Sequence, residues 1–445
     1  VGKASETRNR CVQRTPNRCV DPPMIRTFMR APVCSLAMAL FVTLAPFPAL
    51  SAPDEAVLAV AKAQDGPYRE TLKGLVDVDT GTGDVPGLSK VEGVLKAHLE
   101  ALGLSVNLRA APVFGGNTLI GTKSGSGTRK IMLLVHYDTV FSTGDAAKRP
   151  YTEREGRAYG PGVADAKGGI AMILHVLAGL EAMRFDGYGT LTVVLNPDEE
   201  RGSRGSRDEI AKIARDQDVV LSFEPSFAEA GIDAVTVATK GINYASLIVK
   251  GRAAHAGGAP EAGRNAVVEL AHQILQLQDL GDPAKGTSLH WTVFHGGTKP
   301  NIIPEEAKAE GDMRYFAPSE YDRVLTAARR IIGAHRVPDT QVTFDLAKGR
   351  PPLPRNPATQ ALGERARSIY AELGADLSLA EIGGGTDAGY ALQPDSPAKP
   401  AIIESLGIVG GHYHSADEFA VLASITPRLY LATRLVMEVS KDASR

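Results

Sequence analysis

Between about residues 130 and 226, short unbroken apolar runs alternate with stretches of helical spacing, and no other feature restricts the fold of this chain as tightly. Residues 131–135 (Ile-Met-Leu-Leu-Val) follow Arg129-Lys130, end in polar residues, and read as a buried strand. Residues 169–180 set Ile170, Ile173, Leu174 and Leu177 along one side of a helix. Residues 191–195 form a second strand, 208–214 a helix and 219–223 a third strand. A strand that is apolar on both faces needs cover on both faces. The order strand, helix, strand, helix, strand therefore predicts an α/β fold with an open, mostly parallel sheet.

Near Lys240 the pattern changes. Strands are expected at 244–249, 288–294, 307–314 and 341–346, with helices at 265–277 and 321–334. The β-α-β-β-α-β order is that of a small ferredoxin-like α+β unit. Helix and strand alternate again from Arg350, with 362–373 helical and 401–405 extended. The expected organisation is a leader at 1–52, a catalytic domain split between 53–239 and 350–445, and an inserted domain at 240–349.

The leader from Met24 onward reads as a secretory signal. Arg26 and Arg30 precede an apolar stretch at 36–50, and Ala49, Ser51 and Ala52 supply small residues for cleavage. Pro46 and Pro48 break the stretch, which favours a cleaved signal over an anchor. The expectation is a periplasmic or secreted protein with no membrane contact after cleavage. Cys11, Cys19 and Cys34 all lie in this leader, so the mature chain would contain neither disulfide nor catalytic thiol. Taking seven Lys/Arg and two Asp/Glu with the leader from totals of 49 and 51 leaves 42 against 49, a net charge of −7. A mildly acidic body argues against nucleic acid as a partner.

Four polar clusters fall just beyond expected strands: His136-Tyr137-Asp138, Asp198-Glu199-Glu200, Glu224-Pro225 and His412-Tyr413-His414. That edge of an open α/β sheet is where ligands bind. A fifth cluster, residues 160–169 with Asp165, enters a helix after a long loop. Imidazoles and carboxylates collected at one edge suit zinc, and a shared carboxylate holds two metals about 3.5–4 Å apart. So many buried acids would otherwise repel one another. Asp198 reads as a solvated or capping residue, and His98, His175, His272, His290, His295 and His335 as structural histidines.

These stretches, with Gly383-Gly384-Gly385-Thr386-Asp387 and His414-Ser415, resemble the dinuclear-zinc carboxypeptidase/aminoacylase family, and within it the bacterial glutamate carboxypeptidases. The likeness runs in order over about 60–440. It implies two zinc ions per chain, with Asp165 bridging, His136 and Glu224 on one metal, and Glu200 and His414 on the other. Asp138 would orient His136, and Glu199 would be the general base that takes a proton from the attacking water. His412 stands where glycine is expected and competes with His414 for the ligand role.

The same likeness extends into the inserted domain. His255, in Gly251-Arg252-Ala253-Ala254-His255-Ala256-Gly257, resembles the histidine that reaches a partner subunit's active site and polarises the scissile carbonyl. Asn301 resembles its companion, and Arg314 the arginine that binds the substrate's free carboxylate. Arg350 and Thr386 match positions lining the same end of the substrate. A guanidinium fork donates two parallel bonds to a carboxylate; the bland alternative for both arginines is surface ion pairing. The implied protein is a homodimeric zinc carboxypeptidase that releases a C-terminal amino acid, glutamate foremost, from small peptides or N-acyl amino acids. The alternatives are a deacylase or dipeptidase of the same fold and a metal-dependent binding protein without turnover.

Overall fold

The sheet at the centre of the computed structural model has six strands, in the spatial order Ser105–Ala110, Asn117–Ser124, Thr190–Asn196, Lys130–His136, Val219–Ser222, Ala401–Ile403. The structure describes residues 52–229, 231–392 and 400–442, and these belong to one compact unit. The leader, its cysteines and the apolar stretch at 36–50 lie outside them. Among the described residues no helix is long and apolar enough to cross a membrane.

Four of the six strands are parallel; the Ser105–Ala110 and Asn117–Ser124 strands add an antiparallel edge. From Ile131 to His136 every residue is buried, because both faces are covered. Helices Glu55–Val76, Lys167–Ala182 and Ile425–Ser440 pack together on one face. On the other, Met132, Leu134, Val194, Val220 and Ile402 meet Ile210, Ala214, Ala388 and Ala391. The expected strands and helices of this part are all present. The first two helices, the antiparallel edge and the parallel pair Ile232–Thr239 with Leu377–Ile382 were not foreseen.

Residues 240–349 form a second, antiparallel sheet in the order Ser288–Gly296, Glu306–Tyr315, Gly241–Lys250, Gln341–Lys348. Burial alternates along Gly241–Lys250, with Ala245, Leu247 and Val249 facing helices Ala266–Leu277 and Ser319–Ile331. A one-sided sheet needs this period-two pattern. Asn265 caps the first of these helices by accepting from the N–H groups of Val267 and Val268. This unit has a hydrophobic core of its own.

Candidate metal centre and active site

Three of the clusters named from the sequence lie at the carboxyl ends of parallel strands, whereas residues 160–169 follow the antiparallel strand Arg157–Tyr159 and His412-Tyr413-His414 follows the antiparallel pair Gly410–Gly411, on loops that come back over the sheet edge. His136 ends one strand and Asn196 ends its neighbour, with Glu199 and Glu200 in the single turn that follows. Glu224 lies two residues past Ser222. The loop that carries Asp165 is closed by tight backbone contacts. Gly162 adopts φ +72°, and a Cβ there would stand 2.6 Å from the Thr139 methyl. Only glycine fits such a position. A Cβ at Gly169 would meet the Phe223 carbonyl oxygen at 1.9 Å, so the following helix lies directly against the strand that delivers Glu224.

Asp165 sits between the two histidines. Its Oδ1 is 3.1 Å from His136 Nε2, and its Oδ2 is 3.2 Å from His414 Nε2. Glu224 Oε2 lies 3.4 Å from the same His136 nitrogen, and Glu200 Oε2 lies 3.2 Å from that of His414. Two half-sites share one carboxylate. His136 Nδ1 faces the Asp138 carbonyl oxygen at 3.0 Å and Oδ1 at 3.2 Å, which leaves Nε2 toward Asp165. His412 packs edge-on against Phe419, 5.3 Å between ring centres, while His414 faces the carboxylates.

The charges of this cluster are far from their solution values. Burial pushes Glu224 up to about 8 and Glu200 up to about 7, although His136 and His414 respectively pull them back. Hydrogen bonds to Asp165 and Glu200 lift His414 to about 10. For His136, burial opposes the charge, but Glu224 and bonds to Asp138 and Asp165 hold the ring well above the ordinary histidine range. Burial would raise Asp165 too, yet its two histidine partners bring it well below the usual carboxylate range. So many acids around two imidazoles call for positive charge, which divalent ions would supply. Glu200 Oε1 is buried without a hydrogen-bond partner, and His136, Asp165 and Glu200 offer ligand atoms within 4.8 Å of one another. Two imidazoles and three carboxylates with an orphaned oxygen fit a pair of divalent metals.

Glu199 is buried beside this cluster, and Arg350 differs from expectation. The residue is 6% exposed and its guanidinium pairs with the Glu199 carboxylate; Nη2 also donates to the Glu199 carbonyl oxygen at 2.6 Å and Nη1 to that of Gly385 at 3.1 Å. Instead of lying open at the end of the substrate site, Arg350 is held on the acid expected to be the base, because that is the nearest buried anion. Asp198 is likewise not solvated. It is fully buried, accepts from the Ser206 hydroxyl at 2.6 Å and from the Gly205 N–H at 2.5 Å, and so ties down the start of the next helix.

Thr386 is buried in the turn after Ile382. Arg314 bonds to Asp312 at 2.7 Å and reaches the Gly383 carbonyl oxygen at 3.4 Å, so it links the antiparallel sheet to that turn. His255 pairs with Ile302 in the short ladder of Ala254–His255 with Ile302–Ile303, and Asn301, just before it, accepts from the Ala256 N–H at 3.0 Å through its backbone carbonyl oxygen. Among the described residues, no hydrogen bond or ion pair joins His255 to the metal cluster of its own chain. Of the histidines read as structural, His175 is held by Thr71 and Gln64, and His335 by Thr340.

Glu418 was missed. This buried carboxylate accepts from the N–H groups of Gly162, Ala164 and Asp165 at 3.3, 2.9 and 3.0 Å, and so holds the loop that carries Asp165. Lys167 closes the same loop by donating to the Val78 and Pro161 carbonyl oxygens at 2.8 and 3.1 Å. Only the adjacency of acids to His414 could have pointed to Glu418, and Asp417 shares that signal.

Comparison with known proteins agrees with this geometry. Residues 132–438 match the model of peptidase family M20/M25/M40. The chain is 38% identical over 389 residues to carboxypeptidase G2 of Pseudomonas sp., covering 87% of this chain and 92% of that one. Among solved structures it is similar to the aminopeptidase PepT of Bacillus cereus, with a TM-score of 0.72, 21% identity and coverage of 85% and 99%. It is also similar to the YXEP protein of Bacillus subtilis, described as a dinuclear metal binding peptidase, with a TM-score of 0.62, 16% identity and coverage of 86% and 99%. The chain belongs to peptidase family M20/M25/M40 and is a metallocarboxypeptidase of that family.

Proposed function

We propose that this protein removes a C-terminal amino acid, glutamate foremost, from peptidyl or N-acyl conjugates, using two zinc ions per chain. The observation that carries this reading is Asp165, whose two oxygens face His136 and His414 on opposite sides, with Glu199 buried alongside. His136, Glu224, Asp165, Glu200 and His414 would hold the pair. When bound, the metals supply Lewis acidity to the attacking water and the scissile carbonyl.

The residues of the chain do the rest. Glu199 accepts the proton of the attacking water and returns it to the leaving nitrogen. Arg350 positions Glu199 through its carboxylate and backbone, while Arg314 offers a fork to the free carboxylate of the substrate. The likeness to carboxypeptidase G2 supports that choice of end group. Glu199 also weighs against a mere binding protein, which needs no base.

Assembly as a homodimer completes the proposal, with His255 and Asn301 donated to the partner's site. Ser288–Gly296 lies at the edge of its sheet, and Val293 and Phe294 on it, with Val268 and Leu275 on the adjoining helix, are exposed apolar residues. The leader supports export to the periplasm or beyond.

A hydrolysis screen over conjugates differing only in the C-terminal residue, with zinc supplied, tests the substrate. Acidic residues should be preferred; equal rates on neutral or basic ones would overturn that preference. Glu199→Gln should retain metal and lose at least ~10²-fold in kcat.

A further inference from the structure

We propose that the backbone amides of Gly257 and Gly258 hold His255 as the Nε2–H tautomer, so that its ring offers one N–H donor to a substrate carbonyl oxygen; this rests on the oxyanion role given to His255 above. The N–H of Gly257 donates to His255 Nδ1 at 3.1 Å, and that of Gly258 at 2.9 Å. A ring nitrogen that accepts two N–H bonds has its lone pair in use. A proton placed there would point at two other protons, so the neutral ring must carry its proton on Nε2.

The loop is built to hold this contact. His255 pairs with Ile302 across the short ladder, and its carbonyl oxygen accepts from the Ala259 N–H at 3.1 Å, which curls the chain back under the ring. A Cβ at residue 258 would stand 3.4 Å from Nδ1, and at residue 257 it would come no nearer than 3.9 Å. The ring therefore lies directly on the peptide units that supply the two amides. Among the described residues the His255 ring has no other polar partner, so the proton on Nε2 is available to an outside acceptor.

His136 shows the opposite arrangement. Its Nδ1 faces the oxygens of Asp138, which places the proton on Nδ1 and turns Nε2 toward the metal cluster. The two histidines are set as opposite tautomers for opposite tasks, His136 to give a lone pair and His255 to give a proton. Backbone donors in place of a carboxylate make the difference.

Nitrogen-15 NMR of the full-length protein carrying labelled histidine, with His255→Asn to assign the signals, reads the tautomer directly. At mildly alkaline pH, His255 Nδ1 should resonate in the unprotonated range and Nε2 in the protonated range. The reverse pattern, or averaging between the two tautomers, overturns the proposal. Gly258→Ala keeps the amide and should keep the wild-type nitrogen shifts. Gly258→Pro removes one donor and should give a tautomer mixture, with kcat down by about 10-fold and KM little changed. Wild-type shifts in the proline variant would also overturn the assignment; if that variant does not fold, the wild-type spectrum decides. Undiminished kcat in His255→Ala would strike down the oxyanion role and leave the tautomer standing.

Discussion

The backbone N–H of Glu199 donates to Asp138 Oδ1 at 3.0 Å. The same carboxylate accepts from the Glu200 N–H at 3.2 Å and the Thr82 hydroxyl at 2.6 Å, and it faces His136 Nδ1. One buried acid thus holds the His136 ring and the backbone of both Glu199 and Glu200, the residues to which the proposal gives the metals and the base. In Asp138→Asn one oxygen becomes an amide that faces donors whichever way it turns. Metal affinity and kcat should fall together, each by about 10- to 100-fold. Equilibrium dialysis beside steady-state kinetics checks this; loss of kcat alone would confine Asp138 to Glu199.

Glu418→Gln tests the loop of the bridging aspartate. Three N–H donors converge on the native carboxylate, and an amide can satisfy only part of that set. The variant should bind metal about 10-fold more weakly, with the loss of activity restored by excess zinc. Unchanged metal affinity would show that the glycines and Lys167 hold the loop by themselves.

Glu404 should leave a mark on stability against pH. It is fully buried, accepts from the Ser222 hydroxyl at 2.8 Å, and burial pushes it from 4.5 up to about 7. The folded protein keeps a proton that the unfolded chain has already released. This contribution is therefore complete below about pH 4.5 and is lost as pH rises to about 7. In denaturant unfolding of the metal-free protein, Glu404→Gln should remove a slope of up to about 1.4 kcal/mol per pH unit within that window. A wild-type profile in the variant would refute the assignment.

Co-expression of Glu199→Gln with His255→Ala should recover partial activity, because each mixed dimer contains one site with both residues intact. No recovery in proven mixed dimers would mean that His255 acts within its own chain or not at all. Arg314→Ala should raise KM for acidic C-terminal substrates by about 10- to 150-fold, the worth of one charge-assisted contact.

The period of the apolar residues carries most of the fold in its own right. Continuous runs such as 131–135 need cover on two faces, and the β-α-β-β-α-β order from 244 to 346 marks a separate α+β unit, so the two units could be told apart from the sequence. His136, Glu200 and Glu224 were equally legible, because strand ends in an open α/β sheet collect at one edge, whereas Asp165 and His414 arrive on loops from outside that sheet. Tertiary structure alone decided which atoms meet there. Glu418 reaches Asp165 across 253 positions, and Arg350 reaches Glu199 across 151; no local pattern records either pairing. Asp198 and Glu199 are neighbours in the chain, yet one anchors a helix and the other lies beside the metal cluster. His412 and His414, two residues apart, were rivals until the backbone turned one ring onto Phe419 and the other onto Asp165 and Glu200. Residue type and spacing limit what a side chain can do, but direction comes from the packing of distant segments, and direction separates a ligand from its neighbour.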